Sequence, residues 1–215
     1  MYTEHLDQVL STSRKSGRQA LEYTFMPYPA KTDRRTILAA AVEQLKRDGL
    51  RGISLRSLAA SLALAPNALY RYFANRAQLE AALTEESARR LHAVLRRAVG
   101  RKQPGEAIRS LARAYVKFAR DERHLYEILM LPALASGEDV ARCDLWVFVV
   151  NQVARLSGLP RAREAAVALW AFLHGMTALE AAKVFSEEKP ASSFEFGLNS
   201  WLATVSRIDP KQLQA

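Results

Sequence analysis

Apolar residues recur at intervals of three and four along this chain from Thr32 onward, and this spacing constrains the fold more than any other feature. Because a helix turns once in 3.6 residues, such spacing gathers apolar side chains on one face. The first helix predicted in this way ends near Gly49 and carries Ile37, Leu38, Ala41, Val42 and Leu45. Further helices are predicted at roughly 105–120, 123–131, 138–156, 161–186 and 193–206. No run alternates for long enough to form a sheet, so the sequence predicts an all-α fold.

Cap and turn residues divide the segment between Gly49 and Gly100 into two short helices and a long one. Ser and Asn side chains accept hydrogen bonds from the first free N–H groups of a helix, and proline suits its first turn. The predicted helices begin with Ser54 at about 54–61, Pro66 at about 66–72 and Asn75 at about 76–99. Two short helices joined by a turn are the geometry of the helix-turn-helix, whose second helix enters the DNA major groove.

The second short helix is expected to have a buried side and an outer side. The apolar residues that pack against the first helix are Leu58, Leu62, Leu64, Leu69 and Phe73. This packing leaves Pro66, Asn67, Tyr70 and Arg71 facing outward. Arg71 can fork onto a guanine edge or a phosphate, Asn67 can pair with adenine or a phosphate, and tyrosine hydroxyls can donate to phosphates. The predicted partner is therefore duplex DNA.

The basic charge of the chain is concentrated in its first half. Residues 1–100 hold 16 Lys and Arg against 9 Asp and Glu, whereas residues 101–215 hold 15 against 13. A basic half indicates a polyanionic partner, and charge alone fits either nucleic acid or an anionic membrane surface. Acidic residues interleaved with the basic ones in the first and fourth predicted helices argue against the membrane surface.

The stretch TILAAAVEQLKRDGLRGISLRSLAASLALAPNALYRYFANRAQLEAAL resembles the DNA-binding domain of TetR-type transcriptional regulators over about residues 33–83. Its most specific element is the run from Leu69 to Phe73, followed three positions later by a basic residue. The resemblance implies that Tyr70 and Tyr72 contact phosphates and that Arg76 replaces the family's phosphate-binding lysine. It also implies that Pro66, Asn67 and Arg71 face base edges. At the start of the second helix, the positions that correspond to backbone-anchoring residues are Ser54, Arg56 and Ser57.

Three positions depart from the family pattern. Ala63 stands where the turn usually has Gly, Ala65 where Ser usually precedes the recognition helix, and Ala68 where that helix usually has Thr. The loss of the side-chain cap at Ala65 costs about 1 kcal/mol. Because alanine has no hydroxyl group, Ala65 and Ala68 also cannot make the hydroxyl contacts with DNA that Ser and Thr could make.

The stretch ALWAFLHGMTALEAA, residues 168–182, resembles a Trp-x-x-x-His-Gly segment in the C-terminal domain of one branch of these regulators, the Trp-His-Gly branch. Trp170 and His174 lie one turn apart on one helix face, and Gly175 permits close approach of a neighbouring helix. The resemblance implies a dimer whose four-helix bundle is formed by segments 161–186 and 193–206. It also implies an effector pocket walled by the helices at 105–120, 123–131 and 138–156.

Aromatic residues recur at helical spacing in this C-terminal half. The candidate ligand contacts are Tyr115, Phe118, Tyr126, Trp146, Trp170 and His174. The same spacing is typical of plain core packing, and a histidine beside a tryptophan can equally be a hydrogen-bonded core residue. Core and cavity lining therefore both remain open from the sequence.

Other classes of site leave no pattern in the sequence. Cys143 is the single cysteine, so an internal disulfide is impossible and a cysteine-based metal cluster improbable. The four histidines show no metal-ligand spacing, and phosphate-binding glycine loops, nucleophile elbows and HExxH are absent. We therefore predict no enzymatic activity, no cofactor and no metal. The longest stretch without Asp, Glu, Lys or Arg has 15 residues, short of the ~20 that span a bilayer, and the N-terminus lacks a secretion pattern, which predicts a cytoplasmic protein.

The predicted organisation is a flexible basic arm at 1–30, a helix-turn-helix DNA-binding domain at 31–78, and a helical ligand-binding and dimerisation domain at 79–215. The predicted function is a sequence-specific regulator, acting as a homodimeric repressor on a palindromic operator and responding to a small apolar effector. One alternative is a DNA-binding regulator without an effector, either nucleoid-associated or controlled by a partner protein. A helical enzyme or a membrane-surface protein is the other alternative.

Overall fold

Nine helices account for the regular structure of the residues that the computed structural model describes, which are 33–131, 140–184 and 190–207. They are α1 (Arg34–Gly52), α2 (Leu55–Ser61), α3 (Pro66–Tyr70), α4 (Arg76–Val99), α5 (Pro104–Asp121), α6 (Arg123–Leu129), α7 (Val140–Ser157), α8 (Ala162–Ala181) and α9 (Pro190–Arg207), with a 3-10 turn at Leu159–Arg161. No strand occurs in these ranges, which confirms the all-α prediction. The predicted arm at 1–30 lies outside them.

The first three helices form what we call the head. Ile37 of α1, Leu58 of α2 and Leu69 of α3 are fully buried, so the predicted apolar faces meet in one core. Phe73 follows α3 and is also buried, and the guanidinium of Arg34 lies 5.1 Å from the centre of its ring. This packing holds α3 with one side against α2 and leaves its other side to solvent.

Helix α1 breaks at Gly49, where the sequence predicts its end. Gly49 has a φ of +68°, and the helix resumes beyond this kink as far as Gly52. The φ value lies in the region that favours glycine because it has no Cβ. A Cβ at this position would also approach Nε2 of His124 to 3.3 Å. The kink therefore depends on glycine for both its backbone conformation and its contact with α6.

Several predicted helix boundaries are wrong; α8, for example, ends at Ala181 instead of about residue 186. Helix α3 ends at Tyr70 instead of about residue 72, because residues 71–72 form a turn. Helix α9 begins at Pro190 instead of about residue 193. Glu195 therefore lies within the helix, where it pairs with Arg113 of α5 at 2.9 Å.

The remaining six helices form what we call the body. Helix α4 is 24 residues long and contacts α5, α6 and α7, whereas α8 packs between α7 and α9. The predicted domain boundary between residues 78 and 79 falls inside α4. One continuous set of buried apolar side chains extends from the head into the body. Within the described ranges, no helix is long and apolar enough to cross a lipid bilayer.

Close approach between α8 and α9 occurs at Gly197 instead of the predicted Gly175. A Cβ at Gly197 would collide with the ring of Phe172 in α8. A Cβ at Gly175 would meet no described atom within 4 Å. The prediction for Gly175 is therefore wrong for contacts within this chain, because α9 crosses α8 on the side of Phe172.

Candidate nucleic-acid interface and effector pocket

The outer side of α3 carries the residues predicted to contact bases. Pro66, Asn67 and Arg71 are exposed, and Tyr70 is 53% exposed. Tyr72 is half-buried and packs against the core of the head. Helix α3 and its C-terminal residue thus present an amide, a phenol and a guanidinium to solvent, which are groups that contact base edges and phosphates.

Hydrogen bonds fix the start of α2. Ser54 Oγ accepts from the backbone N–H of Ser57, and Ser57 Oγ accepts from the backbone N–H of Ser54, each at 3.0 Å. Buried Gln44 of α1 donates from Nε2 to Ser57 Oγ at 2.8 Å and to the Gly52 carbonyl at 3.2 Å. Since Ser57 Oγ also donates to the Ser54 carbonyl, its proton and both lone pairs are used. The Ser57 side chain thus holds the start of α2, whereas Arg56 is exposed, and the predicted contacts of both with the DNA backbone stay predictions.

The turn between α2 and α3 contains a residue in the left-handed region. Ala63 has a φ of +52°, a conformation that costs an L-residue about 1–2 kcal/mol. The turn is held by the N–H of Leu64, which donates to the Ala59 carbonyl at 2.9 Å. Helix α3 then begins after Ala65 without a side-chain cap. The backbone therefore favours the family's usual residues at both positions, Gly in place of Ala63 for its φ and Ser in place of Ala65 for its cap.

Arg76, predicted to bind a phosphate, has two partners within the chain. Its Nε donates to Glu80 Oε1 at 2.6 Å, and its Nη2 donates to the Leu50 carbonyl at 2.9 Å. The side chain is 51% exposed. Arg76 therefore ties the start of α4 to the segment after the Gly49 kink, and a guanidinium with five N–H groups keeps further donors for a phosphate.

Helix α6 connects the head with the body. Lys46 of α1 pairs with Glu122 at 3.2 Å, and His124 donates from Nδ1 to the Lys46 carbonyl at 2.9 Å. The His124 ring also lies over Gly49. The other end of α6, at Leu129, lines a cavity in the body. A displacement of α6 by a bound molecule would therefore reach the head directly.

This cavity has a volume of about 350 Å³ and an almost wholly apolar wall. Five helices contribute to it, through residues such as Leu91 of α4, Leu111 of α5, Leu129 of α6, Val149 of α7 and Leu173 of α8. Pockets of roughly 300–1,000 Å³ with apolar walls and a few polar groups are typical sites for small molecules. The geometry suits an apolar ligand.

Half of the predicted ligand contacts line the cavity. Tyr115, Trp146 and Trp170 are wall residues, and Trp170 is 45% exposed. The structure does not place the other three on the wall: Phe118 is buried in the core, and Tyr126 and His174 lie behind Tyr115.

Tyr126 and His174 belong to a hydrogen-bonded cluster that we call the Tyr115 network. Trp170 Nε1 donates to the Tyr115 hydroxyl at 3.2 Å, and the Tyr115 and Tyr126 hydroxyls lie 3.0 Å apart. The Tyr126 hydroxyl also lies 2.6 Å from His174 Nδ1 and 3.0 Å from Thr177 Oγ1. Burial, together with Tyr126, raises the pKa of the Tyr115 phenol far above its ordinary value, so this hydroxyl stays neutral.

Sequence reasoning missed most of the cavity wall. The aliphatic residues of α4 and α7 carry the same periodic signal whether they face a cavity or a filled core. Arg142 was also missed; its Nη2 donates to the carbonyl oxygens of Leu129 and Leu131. The available signal was a pair of charged residues, Arg142 and Asp144, at the start of a largely apolar helix. Among the side chains of the described ranges, no group of three or more His, Cys, Asp or Glu could hold a metal ion.

The outer faces of α8 and α9 expose apolar residues. Phe196 of α9 is 76% exposed and Leu179 of α8 is 43% exposed. Gly175, also on α8, leaves open space at its Cβ position. Phe196 and Leu179 both belong to the segments that the sequence predicts to form the dimer.

The chain resembles known proteins along most of its length. The sequence profile described as bacterial regulatory proteins, tetR family, matches residues 37–83, and the profile described as tetracyclin repressor-like, C-terminal domain, matches residues 108–200. The uncharacterized HTH-type transcriptional regulator YobS of Bacillus subtilis (strain 168) is 27% identical over 173 residues, which cover 79% of this chain and 90% of YobS.

Solved structures share the fold. A protein of unknown function from Rhodococcus sp. RHA1 has a TM-score of 0.72 and 27% identity, covering 85% of this chain and 100% of that one. A TetR variant from Acinetobacter baumannii AYE in complex with minocycline has a TM-score of 0.61 and 23% identity, covering 82% and 98%. The two profiles span both the head and the body. The chain therefore belongs to the TetR family of bacterial transcriptional regulators, which bind DNA and are not enzymes.

Proposed function

We propose that this regulator is a ligand-responsive repressor that binds a palindromic operator as a homodimer. The supporting observation is that an exposed DNA-reading side on α3 and an apolar cavity in the body are joined by one short helix, α6. A dimer would place two copies of α3 in successive major grooves, about 34–36 Å apart. Because the partner is chromosomal DNA, the protein would act in the cytoplasm.

The base contacts in this proposal come from Asn67 and Arg71, with Pro66 packing beside them. Tyr70, Tyr72 and Arg76 would contact phosphates, together with Ser54 and Arg56 at the start of α2. Exposure supports this division for Asn67, Tyr70 and Arg71. Phosphate contacts fix the register of the protein on the duplex, and base contacts determine which sequence is preferred.

Salt titration of DNA binding tests these roles. An operator selected from random fragments should bind with a log–log salt slope of about −0.9 per phosphate neutralised, and Arg76→Ala should flatten the slope by about one unit. Arg71→Ala should cost about 1–3 kcal/mol and relax the preference at one operator position. Arg89→Ala is the matched control, because Arg89 lies on α4 and pairs with Glu85 and Glu86. A uniform loss for Arg71→Ala across all sequences would instead make Arg71 a phosphate contact.

The dimer in this proposal is formed by α8 and α9, predicted as segments 161–186 and 193–206. The 76% exposed ring of Phe196 supports this interface. Phe196→Asp should shift the protein from dimer to monomer in sedimentation velocity, because a charge would enter an apolar interface. Ala93→Asp, on the exposed side of α4, should leave the dimer unchanged. A dimer that survives Phe196→Asp would exclude this interface.

The effector would act by shifting a conformational equilibrium. An apolar molecule that binds the cavity better when α6 is displaced would favour a state whose heads no longer match the operator. A differential affinity of about 1.4 kcal/mol lowers operator occupancy tenfold at low saturation. Screening apolar compounds by thermal shift, followed by operator release, tests this step. If no compound both stabilises the protein and releases DNA, the regulator without an effector becomes the better description.

A further inference from the structure

The hydrogens of the Tyr115 network can be placed in only one way that satisfies every contact. The Thr177 hydroxyl donates to the His174 carbonyl at 2.8 Å, which uses its single proton. The bond between Tyr126 and Thr177 must therefore use the proton of Tyr126. It follows that His174 donates from Nδ1 to the Tyr126 oxygen. The bond between Tyr115 and Tyr126 then uses the proton of Tyr115.

This assignment decides what the cavity wall offers to a ligand. The indole N–H of Trp170 is used on Tyr115, and the hydroxyl proton of Tyr115 is used on Tyr126. A phenol oxygen has two lone pairs, and only one of those on Tyr115 is occupied, by Trp170. At this part of the wall the network therefore accepts a hydrogen bond and does not donate one.

The charged residue of the wall, Arg142, stands on another helix. Its Nη2 donates to the last carbonyl oxygens of the α6 segment, at Leu129 and Leu131. Two of the five N–H donors of the guanidinium are therefore engaged in joining the start of α7 to the end of the α6 segment. A ligand carboxylate at Tyr115 would face a lone pair there and would lose its hydration on entering an apolar cavity.

Building on the proposed effector pocket, we propose that its ligand is an uncharged apolar molecule with a hydroxyl group, such as a phenol or an alcohol, that donates a hydrogen bond to Tyr115 Oη. The cavity of about 350 Å³ accommodates the apolar part. The free lone pair of Tyr115 selects the hydroxyl. The neutral state of Tyr115 keeps this selection the same across the physiological pH range.

Calorimetric titration of the full chain with three probes of one shape tests this assignment. The probes are 4-butylphenol, 4-butylanisole and 4-butylbenzoate. The phenol should bind about 3–10-fold more tightly than the ether, the effect of one hydrogen bond. The benzoate should bind least tightly, because its charge must be desolvated.

Two variants locate the preference at Tyr115. In Tyr115→Phe the phenol and the ether should bind equally, with the ether affinity close to that of the wild type. Trp170→Phe is the matched control, because it removes the donor to Tyr115 and leaves the acceptor in place, so the preference for the phenol should persist. Circular dichroism of each variant verifies folding, and the wild-type comparison stands whether or not a variant folds.

The outcomes separate this inference from the effector proposal on which it rests. Equal binding of phenol and ether by the wild type, or a preference that survives Tyr115→Phe, would overturn the hydroxyl assignment while leaving the apolar pocket intact. Tightest binding of the benzoate would overturn it in favour of recognition by Arg142. Absence of binding by all three probes would count against the effector pocket itself.

Discussion

The candidate functional residues of the head face solvent, whereas those of the body line an apolar cavity. Asn67 and Arg71 are exposed, whereas Tyr115 and Leu173 are only 5% and 2% exposed. The two regions also differ in the sequence separation of the residues that their hydrogen bonds join. Gln44 and Ser57 are 13 residues apart, and Tyr115 and Trp170 are 55 apart. A DNA-reading surface is thus built from local order, and a pocket is built from distant segments.

The largest expected difference between head and body is in the cost of removing a buried leucine. Leu58 lies in the filled core of the head, whereas Leu173 borders the cavity. We expect Leu58→Ala to lower the free energy of unfolding by about 3–5 kcal/mol and Leu173→Ala by about 2 kcal/mol, because a side chain beside a void has fewer contacts to lose. Urea denaturation at one protein concentration measures both. Equal costs would show that the cavity is filled in solution.

The kink at the junction of head and body gives the next effect. Gly49→Ala should lower the free energy of unfolding by about 2–3 kcal/mol, because only glycine adopts its backbone conformation without strain. When His124 is also replaced by Ala, the destabilisation caused by Gly49→Ala should fall by less than about 1 kcal/mol. His124→Ala removes the contact with the imidazole ring but leaves the backbone strain at position 49. If the cost vanishes in that background, the ring contact alone explains the glycine.

A smaller effect of opposite sign is expected in the turn of the head. Ala63→Gly should raise the free energy of unfolding by about 0.5–1 kcal/mol, because Ala63 occupies the left-handed region. Ala60→Gly provides the matched control within α2, where the same change should lower the free energy by about 0.5–1 kcal/mol. Thermal denaturation distinguishes the two signs, and stabilisation by both changes would exclude the conformational explanation.

The smallest effect concerns protonation in the body. His92 packs against Phe148 with ring centres 4.9 Å apart, and burial and Arg96 lower its pKa while Asp144 opposes them. Because the folded pKa lies below the unfolded value of about 6.5, stability is complete above that pH and declines as the pH falls below it. His92→Gln should remove part of the decline between pH 7 and 5 in thermal denaturation. Asp144→Asn should make the decline steeper, and a shallower one would contradict this origin.

The sequence predicts the head better than the body, because the head depends more on contacts between residues that are close in the sequence. The caps at Ser54 and Asn75 and the break at Gly49 act on neighbouring residues, so the sequence indicates them correctly. The hydrogen bond between Gln44 and Ser57 was not predicted, because it joins two different helices.

In the body, periodicity locates the helices but does not distinguish a wall from a core. Phe118 and Tyr115 lie three residues apart on α5, and only Tyr115 lines the cavity. Which one does so depends on how α7 and α8 pack across α5, and that packing leaves no mark in the local sequence.

The bond between Gln44 and Ser57 has an evolutionary consequence. These two side chains hold the start of α2, the helix against which α3 packs, and they make no hydrogen bond with the outward residues of α3. Asn67 and Arg71 can consequently be exchanged without disturbing this bond. A lineage carrying this arrangement can acquire new target sites through a few surface substitutions while its thermal robustness is inherited intact.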